Sequence, residues 1–200
     1  MRVCRHNWDS YMGLADTQID RIIELELNLG CGSSSIGTSI GLDVVRTPAV
    51  SVIGDLEQSL PFRSASFSTI YAYQVLEHLD NFTGLLGEAH RILTPGGKLI
   101  VEVPYFRSSW SHVDPTHRRH FTIMTFYYFC KTHYLNSEDN FHAHRSIAFS
   151  QIRTSVITGS SLFGFKKLLA RVALRFPEFY ENSALSSLFI FHALHIELIK

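Results

Sequence analysis

Cysteine is scarce in this chain. Cys4, Cys31 and Cys130 are its three cysteines, odd in number and far apart over 200 residues. They form neither a disulfide framework nor a Cys-x-x-Cys metal pair, so a reducing, cytoplasmic setting is expected. An excess of charge is also missing. Lys+Arg and Asp+Glu each number 18, so no global field draws the chain to nucleic acid, and no nucleic-acid partner is expected. Long apolar runs are lacking as well. The first twenty residues show no signal-peptide core. The most apolar tract, 185–199, is interrupted by His192, His195 and Glu197, and it falls short of the roughly 20 apolar residues of a spanning helix. No internal repeat or low-complexity segment is visible. What remains is a chain with 46% hydrophobic and 18% charged residues, suited to one ordered domain with a sizeable core.

Short apolar segments alternate with turns. Residues 25–29, 41–45, 50–53, 69–73 and 98–103 read as strands. Asp80 or Asn81 is expected to cap a helix whose apolar positions are Phe82, Leu85, Leu86, Ala89 and Ile92, one face of a 3.6-residue period. Pro95-Gly96-Gly97 is expected to stop it. This order predicts a doubly wound, mostly parallel α/β sheet with crossover helices, a Rossmann-like single domain over 1–200. Within it, 25–103 forms the core and 104–145, rich in histidine and aromatics, forms a cap over the carboxyl ends of the strands. Residues 146–200 supply a strand at 146–158, a helix at 165–176 and a closing strand at 194–199.

The segment LNLGCG (27–32) places Gly-x-Gly directly after a strand. Glycine permits a sharp turn and a close approach to a ligand at a strand's carboxyl end. Asp43 ends the next strand 13 residues beyond Gly30. A dinucleotide site would place its carboxylate about 20 residues on, after a third glycine and a helix, so a nucleotide-binding oxidoreductase is the weaker alternative.

Together with GLDVV (41–45), GDLEQSLPF (54–62), FSTIYAYQVLEHL (67–79) and HRILTPGGKLIVEVPY (90–105), this segment resembles the class I S-adenosylmethionine-dependent methyltransferases, in the compact branch with a short first crossover. DPTHRRHFTIMTFYYF (114–129) resembles a further signature of some members. The resemblance implies that S-adenosylmethionine is the cofactor. Gly30 and Gly32 would wrap its methionine part, with backbone groups near Asn28 to Cys31 at its amino and carboxylate ends. Asp43 would accept from the ribose hydroxyls, Asp55 and the Leu56 amide would meet the adenine edge, and Gln74 would line the methionine side. Two positions depart from the pattern. Ser68 stands where an acidic residue often opens the fourth strand, and Gln74 stands where histidine is frequent. Glu77 and His78 are expected to be structural, satisfying backbone groups ahead of the helix.

The stretch WSHVDPTHRRHFT (110–122) allows several readings. Zinc would need His112, Asp114, His117 and His120 to converge, which Pro115 and the lack of a helical period disfavour, and a sulfonium donor needs no metal. No metal is therefore expected. Arg107, Arg118 and Arg119 offer planar forks for an anion. Asp114 and Pro115 equally suit the cap and first position of a helical turn. The catalytic reading makes His112 or His117 the base that takes a proton from a hydroxyl or amine acceptor, with Asp114 orienting an imidazole. The helix at 165–176 carries Lys166, Lys167, Arg171 and Arg175 beside an apolar stripe. Packing on its own sheet is the commoner use of such a helix, and peripheral contact with an anionic membrane is the other. The expected function is methyl transfer to a small-molecule, glycan or lipid-linked acceptor. A non-catalytic methyltransferase-like subunit acting through a partner is the alternative.

Overall fold

The computed structural model describes residues 24–133, 135, 147–158 and 163–200. Cys4, the first twenty residues and the cap positions 134 and 136–145 lie outside them. Strands β1 (Glu26–Leu29), β2 (Ile40–Asp43), β3 (Val52–Ile53), β4 (Phe67–Tyr73), β5 (Leu93–Pro104), β6 (Gln151–Ile157) and β7 (Ala193–Ile199) form one sheet in the order β3-β2-β1-β4-β5-β7-β6. The first five are parallel. β7 runs antiparallel between β5 and β6. Leu27, Leu29, Leu42, Ile70, Ala72, Val101 and Val103 are buried along the central strands, while Tyr71, Ile100 and Glu102 between them are only half-buried, the two-residue alternation of a sheet buried more deeply on one face.

The helix α1 (Phe82–Ile92) joins β4 to β5. Asn81 is its cap, and its side chain accepts from the Gly84 amide at 3.0 Å. Leu85, Leu86, Ala89 and Ile92 are its buried face, as the period predicts. The Glu57 carboxylate accepts from the Asp80 and Asn81 amides, where a negative charge also suits the helix dipole. Glu88 and Arg91 pair at 2.8 Å and bind the backbone of Leu60 and Phe62. The long β3–β4 connection is thereby pinned to the helix.

Several expectations shift. The expected short first crossover is a loop, the β2–β3 and β3–β4 connections are loops as well, and α1 is the crossover helix of the parallel strands. Strand β2 stops at Asp43, leaving Val44 and Val45 exposed. The Pro95-Gly96-Gly97 run does not separate helix from strand. It forms an irregularity inside β5, where pairing passes from Phe67↔Leu93 to Thr69↔Lys98, with Gly96 at φ +76°. Sequence pattern also did not reveal α2 (Trp110–Val113), α4 (Pro177–Asn182) and α5 (Leu185–Leu188). α3 (Phe163–Arg175) turns Leu169 and Ala173 into the core and leaves Leu168, Lys167, Arg171 and Arg175 outside.

Part of the expected cap is core. Phe121, Ile123, Phe126 and Phe129 are buried, and Phe82 at the start of α1 meets Phe121 and Phe129 edge-on at 5.6 and 6.0 Å. Such aromatic pairs contribute beyond their buried area. The segment has no helical or strand period because a 3-10 turn at Thr125–Phe129 and loops present these rings.

Close packing at Gly41 gives a test of how the turns before and after β2 pack on that strand. A Cβ there would lie 2.1 Å from the Ala49 carbonyl oxygen and 2.8 Å from Cys31 Sγ. Gly96→Ala meets open space and only a conformational penalty. Gly41→Ala is expected to lose about 2 kcal/mol or more in urea unfolding, clearly more than Gly96→Ala. Equal losses would contradict the packing.

Candidate active site

All the residues expected to hold a cofactor lie at the carboxyl edge of the parallel strands. Gly30 and Gly32 follow β1 with φ of +60° and +53°. A Cβ on Gly30 would stand 2.5 Å from Val75 Cγ2, so the position requires glycine on two counts. The Gly30 and Cys31 amides donate to the Leu42 carbonyl, and the Gly32 amide donates to Asp43 Oδ2 at 2.8 Å. Asp43 Oδ1 accepts from the Val45 amide at 2.9 Å. The turn is thus closed on itself. Its amides are engaged, and what it offers a ligand is the Asp43 carboxylate, with further lone pairs, and backbone carbonyls.

Asn28 is buried and donates from Nδ2 to the Ser34 carbonyl, so its side chain braces the loop. Cys31 is buried too, and burial first, then the Asp43 charge, pushes its thiol pKa up. That environment keeps a thiol inert. Asp55 is exposed and accepts from the Glu57 amide at 2.9 Å, while Leu56 packs partly against the core. Gln74 sits immediately beyond β4 at φ +55°. Its amide donates to the Glu102 carbonyl and its Nε2 to Glu102 Oε1.

From Gln74 a cleft of about 510 Å³ opens between the strand ends and the cap. Glu77, His78, Asp114 and His117 stand in its wall, with Trp110 and Val113. The structure therefore brings Asp114 and His117 to the site. His112 is not among the lining residues. It is exposed, its Nε2–H donates to the Phe106 carbonyl at 2.9 Å, and its ring lies 4.4 Å from that of His120.

Asp114 does not orient an imidazole directly. Its Oδ1 accepts from the Thr116 hydroxyl at 2.6 Å and from the Thr116 amide at 2.8 Å, and these bonds hold its pKa down. The Thr116 hydroxyl has a single proton, which goes to Asp114. It must therefore accept from His78 Nδ1–H, 2.9 Å away. His117 Nδ1 faces the Ser111 carbonyl at 3.3 Å, which can only accept. Both imidazoles thus carry their proton on Nδ1 and keep Nε2 as the open nitrogen. Their rings meet edge-to-face at 4.7 Å. Burial, then the neighbouring His117, lowers the pKa of His78.

Arg118 and Arg119 do not form an anion fork. Arg118 pairs with Asp80 and its amide donates to the Glu77 carbonyl. Arg119 donates to the Leu79 and Asp80 carbonyls and lies over the Phe82 ring at 5.0 Å. Arg107 lies over the Phe106 ring and donates to the Glu181 carbonyl. Arg118 and Arg119 fasten the cap to the segment between β4 and α1, and Arg107 ties it to α4.

Glu77 and His78 are the site residues that sequence reasoning assigned to structure. Glu77 is 1% exposed, and neither carboxylate oxygen has a hydrogen-bond partner. Burial raises its pKa to about 7, its own backbone amide pulling the other way and the Asp114 and Glu102 charges adding to the rise. The available signal was the position of the Glu-His pair, which starts four residues past the end of β4 and three past Gln74.

Residues 42–101 match the methyltransferase domain family. A 68-residue stretch is 34% identical to a sterol 24-C-methyltransferase of Eremothecium gossypii, covering 34% of this chain and 18% of that protein's length. A solved S-adenosylmethionine-dependent methyltransferase from Archaeoglobus fulgidus is 16% identical and covers 94% of each chain, with a TM-score of 0.55. One from Mesorhizobium loti is 15% identical and covers 88% of this chain and 90% of its own, with a TM-score of 0.51. The matched family segment is under a third of the chain, and the chain's sheet has the fold of these solved methyltransferases.

The buried carboxyl makes stability depend on pH. An acid whose folded pKa, about 7, exceeds its unfolded value of 4.5 favours the fold below the unfolded value, and that contribution is lost as pH rises through the folded one. In metal-free buffer at pH 8, Glu77→Gln is expected to be more stable than wild type by on the order of 3 kcal/mol, with the gap closing toward pH 4.5. Denaturant unfolding across that range checks it, and parallel profiles would contradict it.

Proposed function

We propose that the chain transfers the methyl group of S-adenosylmethionine to a hydroxyl- or amine-bearing acceptor in the cleft beside Gln74. One observation carries the reading: a self-closed glycine turn and Asp43 on one side of Gln74, and two imidazoles with open Nε2 atoms on the other, share one edge of the sheet. Gly30, Gly32 and Asp43 would hold the methionine and ribose parts, Asp55 and Leu56 the adenine, and Gln74 the sulfonium end. Methyl transfer is an in-line displacement, so aligning donor and acceptor is the main contribution.

His117 Nε2 would accept the acceptor's proton, a role supported by the Ser111 carbonyl that fixes its tautomer. Asp114 acts at one remove, through Thr116 on His78. Trp110 and Val113, 61% and 65% exposed, give the cleft apolar walls, which favour an acceptor with an apolar body, a small molecule or a lipid-linked one. An intact cofactor edge with open bases beside it supports an enzyme over a non-catalytic subunit.

A thermal-shift panel tests the cofactor and turnover tests the base. At about 100 times its dissociation constant, S-adenosylmethionine or S-adenosylhomocysteine should add roughly 2.7 kcal/mol, on the order of 5–10 °C. NAD should give none. His117→Gln should keep this shift and lower kcat by about 10²-fold or more. A shift with NAD alone, or undiminished turnover in His117→Gln, would overturn the corresponding part.

A further inference from the structure

We infer that Glu77, His78 and His117 form a binding site for one divalent transition-metal ion in the wall of the cleft. One donor atom from each lies within 4.8 Å of the others. Three independent features make this a prepared site. First, each imidazole is anchored through Nδ1, His78 on the Thr116 hydroxyl and His117 on the Ser111 carbonyl. Metal-binding histidines are held in the same way, with the second nitrogen bonded outward so that ring and tautomer are fixed. Behind His78 the chain continues through Thr116 to the Asp114 carboxylate, which raises the basicity of the imidazole it orients.

Second, the Glu77 carboxyl is buried with both oxygens unpartnered. Such a group is costly unless it takes up a proton or a cation, and the two open imidazoles are its neighbours. Third, the frame is stiff. Glu77 and His78 belong to a 3-10 turn at Leu76–His78, and the cap that carries His117 is tied to it by the Arg118 amide on the Glu77 carbonyl. Metal–ligand bonds of about 2.0–2.2 Å hold donors roughly 3.3 Å apart, so the side chains need to close by about 1–1.5 Å.

Two nitrogens and one carboxylate select a borderline ion such as Zn²⁺, Co²⁺, Fe²⁺ or Mn²⁺ over the all-oxygen shells of Mg²⁺ and Ca²⁺. The set that the histidine-rich sequence suggested does not assemble: Asp114 is engaged by Thr116, and His112 donates to the Phe106 carbonyl. Positions left open on the ion face the cleft, where water or an acceptor oxygen can enter. A coordinated hydroxyl would ionise at lower pH and release its proton to water in the open cleft, so that with Nε2 held by the ion the activating role would pass from His117 to the metal. That last role rests on the methyl-transfer reading; ion binding does not.

The test uses the full chain, stripped with chelator and titrated with Zn²⁺ by calorimetry and with Co²⁺ by visible absorption, without any methyl donor. One equivalent should bind, with Co²⁺ bands of nitrogen–oxygen coordination. Glu77→Gln and His117→Gln should each weaken binding by about tenfold or more. The double variant His112→Ala/His120→Ala should bind as wild type does. Circular dichroism and melting confirm each fold, and His117→Gln, at a half-buried cap position, serves if Glu77→Gln does not fold. No saturable binding, unchanged binding in His117→Gln, or loss confined to the His112/His120 variant would overturn the assignment.

Discussion

Everything at the carboxyl edge of the sheet depends on one close approach, the bare backbone of Gly30 against the side chain of Val75. With φ at +60° and Val75 Cγ2 where a Cβ would stand, Gly30 lets the β1 turn settle onto the end of β4. The same contact fixes where Gln74 and the Leu76–His78 turn begin. Gln74 accepts a left-handed backbone there, held by two bonds to Glu102. A non-glycine residue in that conformation is sparsely populated and persists where surrounding structure over-determines it. The glycine turn and the residues facing the cleft are therefore set by one joint.

The cap is bound to that joint and not merely laid over it. Arg118 and Arg119 take the carbonyls of Glu77, Leu79 and Asp80 through backbone and side chain, and Thr116 reaches His78. These contacts satisfy backbone groups ahead of α1 that would otherwise need other partners. Exposed ion pairs such as Arg118–Asp80 contribute little alone, but a donor bonded to a carbonyl with an aromatic ring beneath it, as in Arg119 on Phe82, adds both geometry and energy. Basic residues that suggest an anion site in sequence are structural here because their partners are backbone oxygens.

Much of the frame was legible. The period of Phe82–Ile92, the Asn81 cap, the glycine turn and Asp43 all lie where local pattern puts them, because each rests on a short-range rule: amphipathic spacing, a side-chain cap, a residue without Cβ. What was not legible depends on distant partners. The early crossovers read as short and poor in helix, but that Asp43, Thr47 and Glu57 hold their turns does not show in the sequence. The Phe121–Phe129 rings look like a lid in sequence and are core, since no period reveals packing under α1. Glu77 and His78 have an apolar pattern around them that suits a plain helix lead-in. Only the fold shows that Thr116, 38 residues on, orients one imidazole, and that the carboxyl beside it has no partner.

The central claim is that the glycine turn and the cleft serve a single ligand meeting at Gln74. A crystal structure with S-adenosylhomocysteine bound tests it most directly. The expected complex has the ribose hydroxyls on Asp43, adenine beside Asp55 and Leu56, and the sulfur at Gln74 facing the cleft that holds His78 and His117. A ligand whose sulfur points away from that cleft, or one bound elsewhere on the chain, would contradict it.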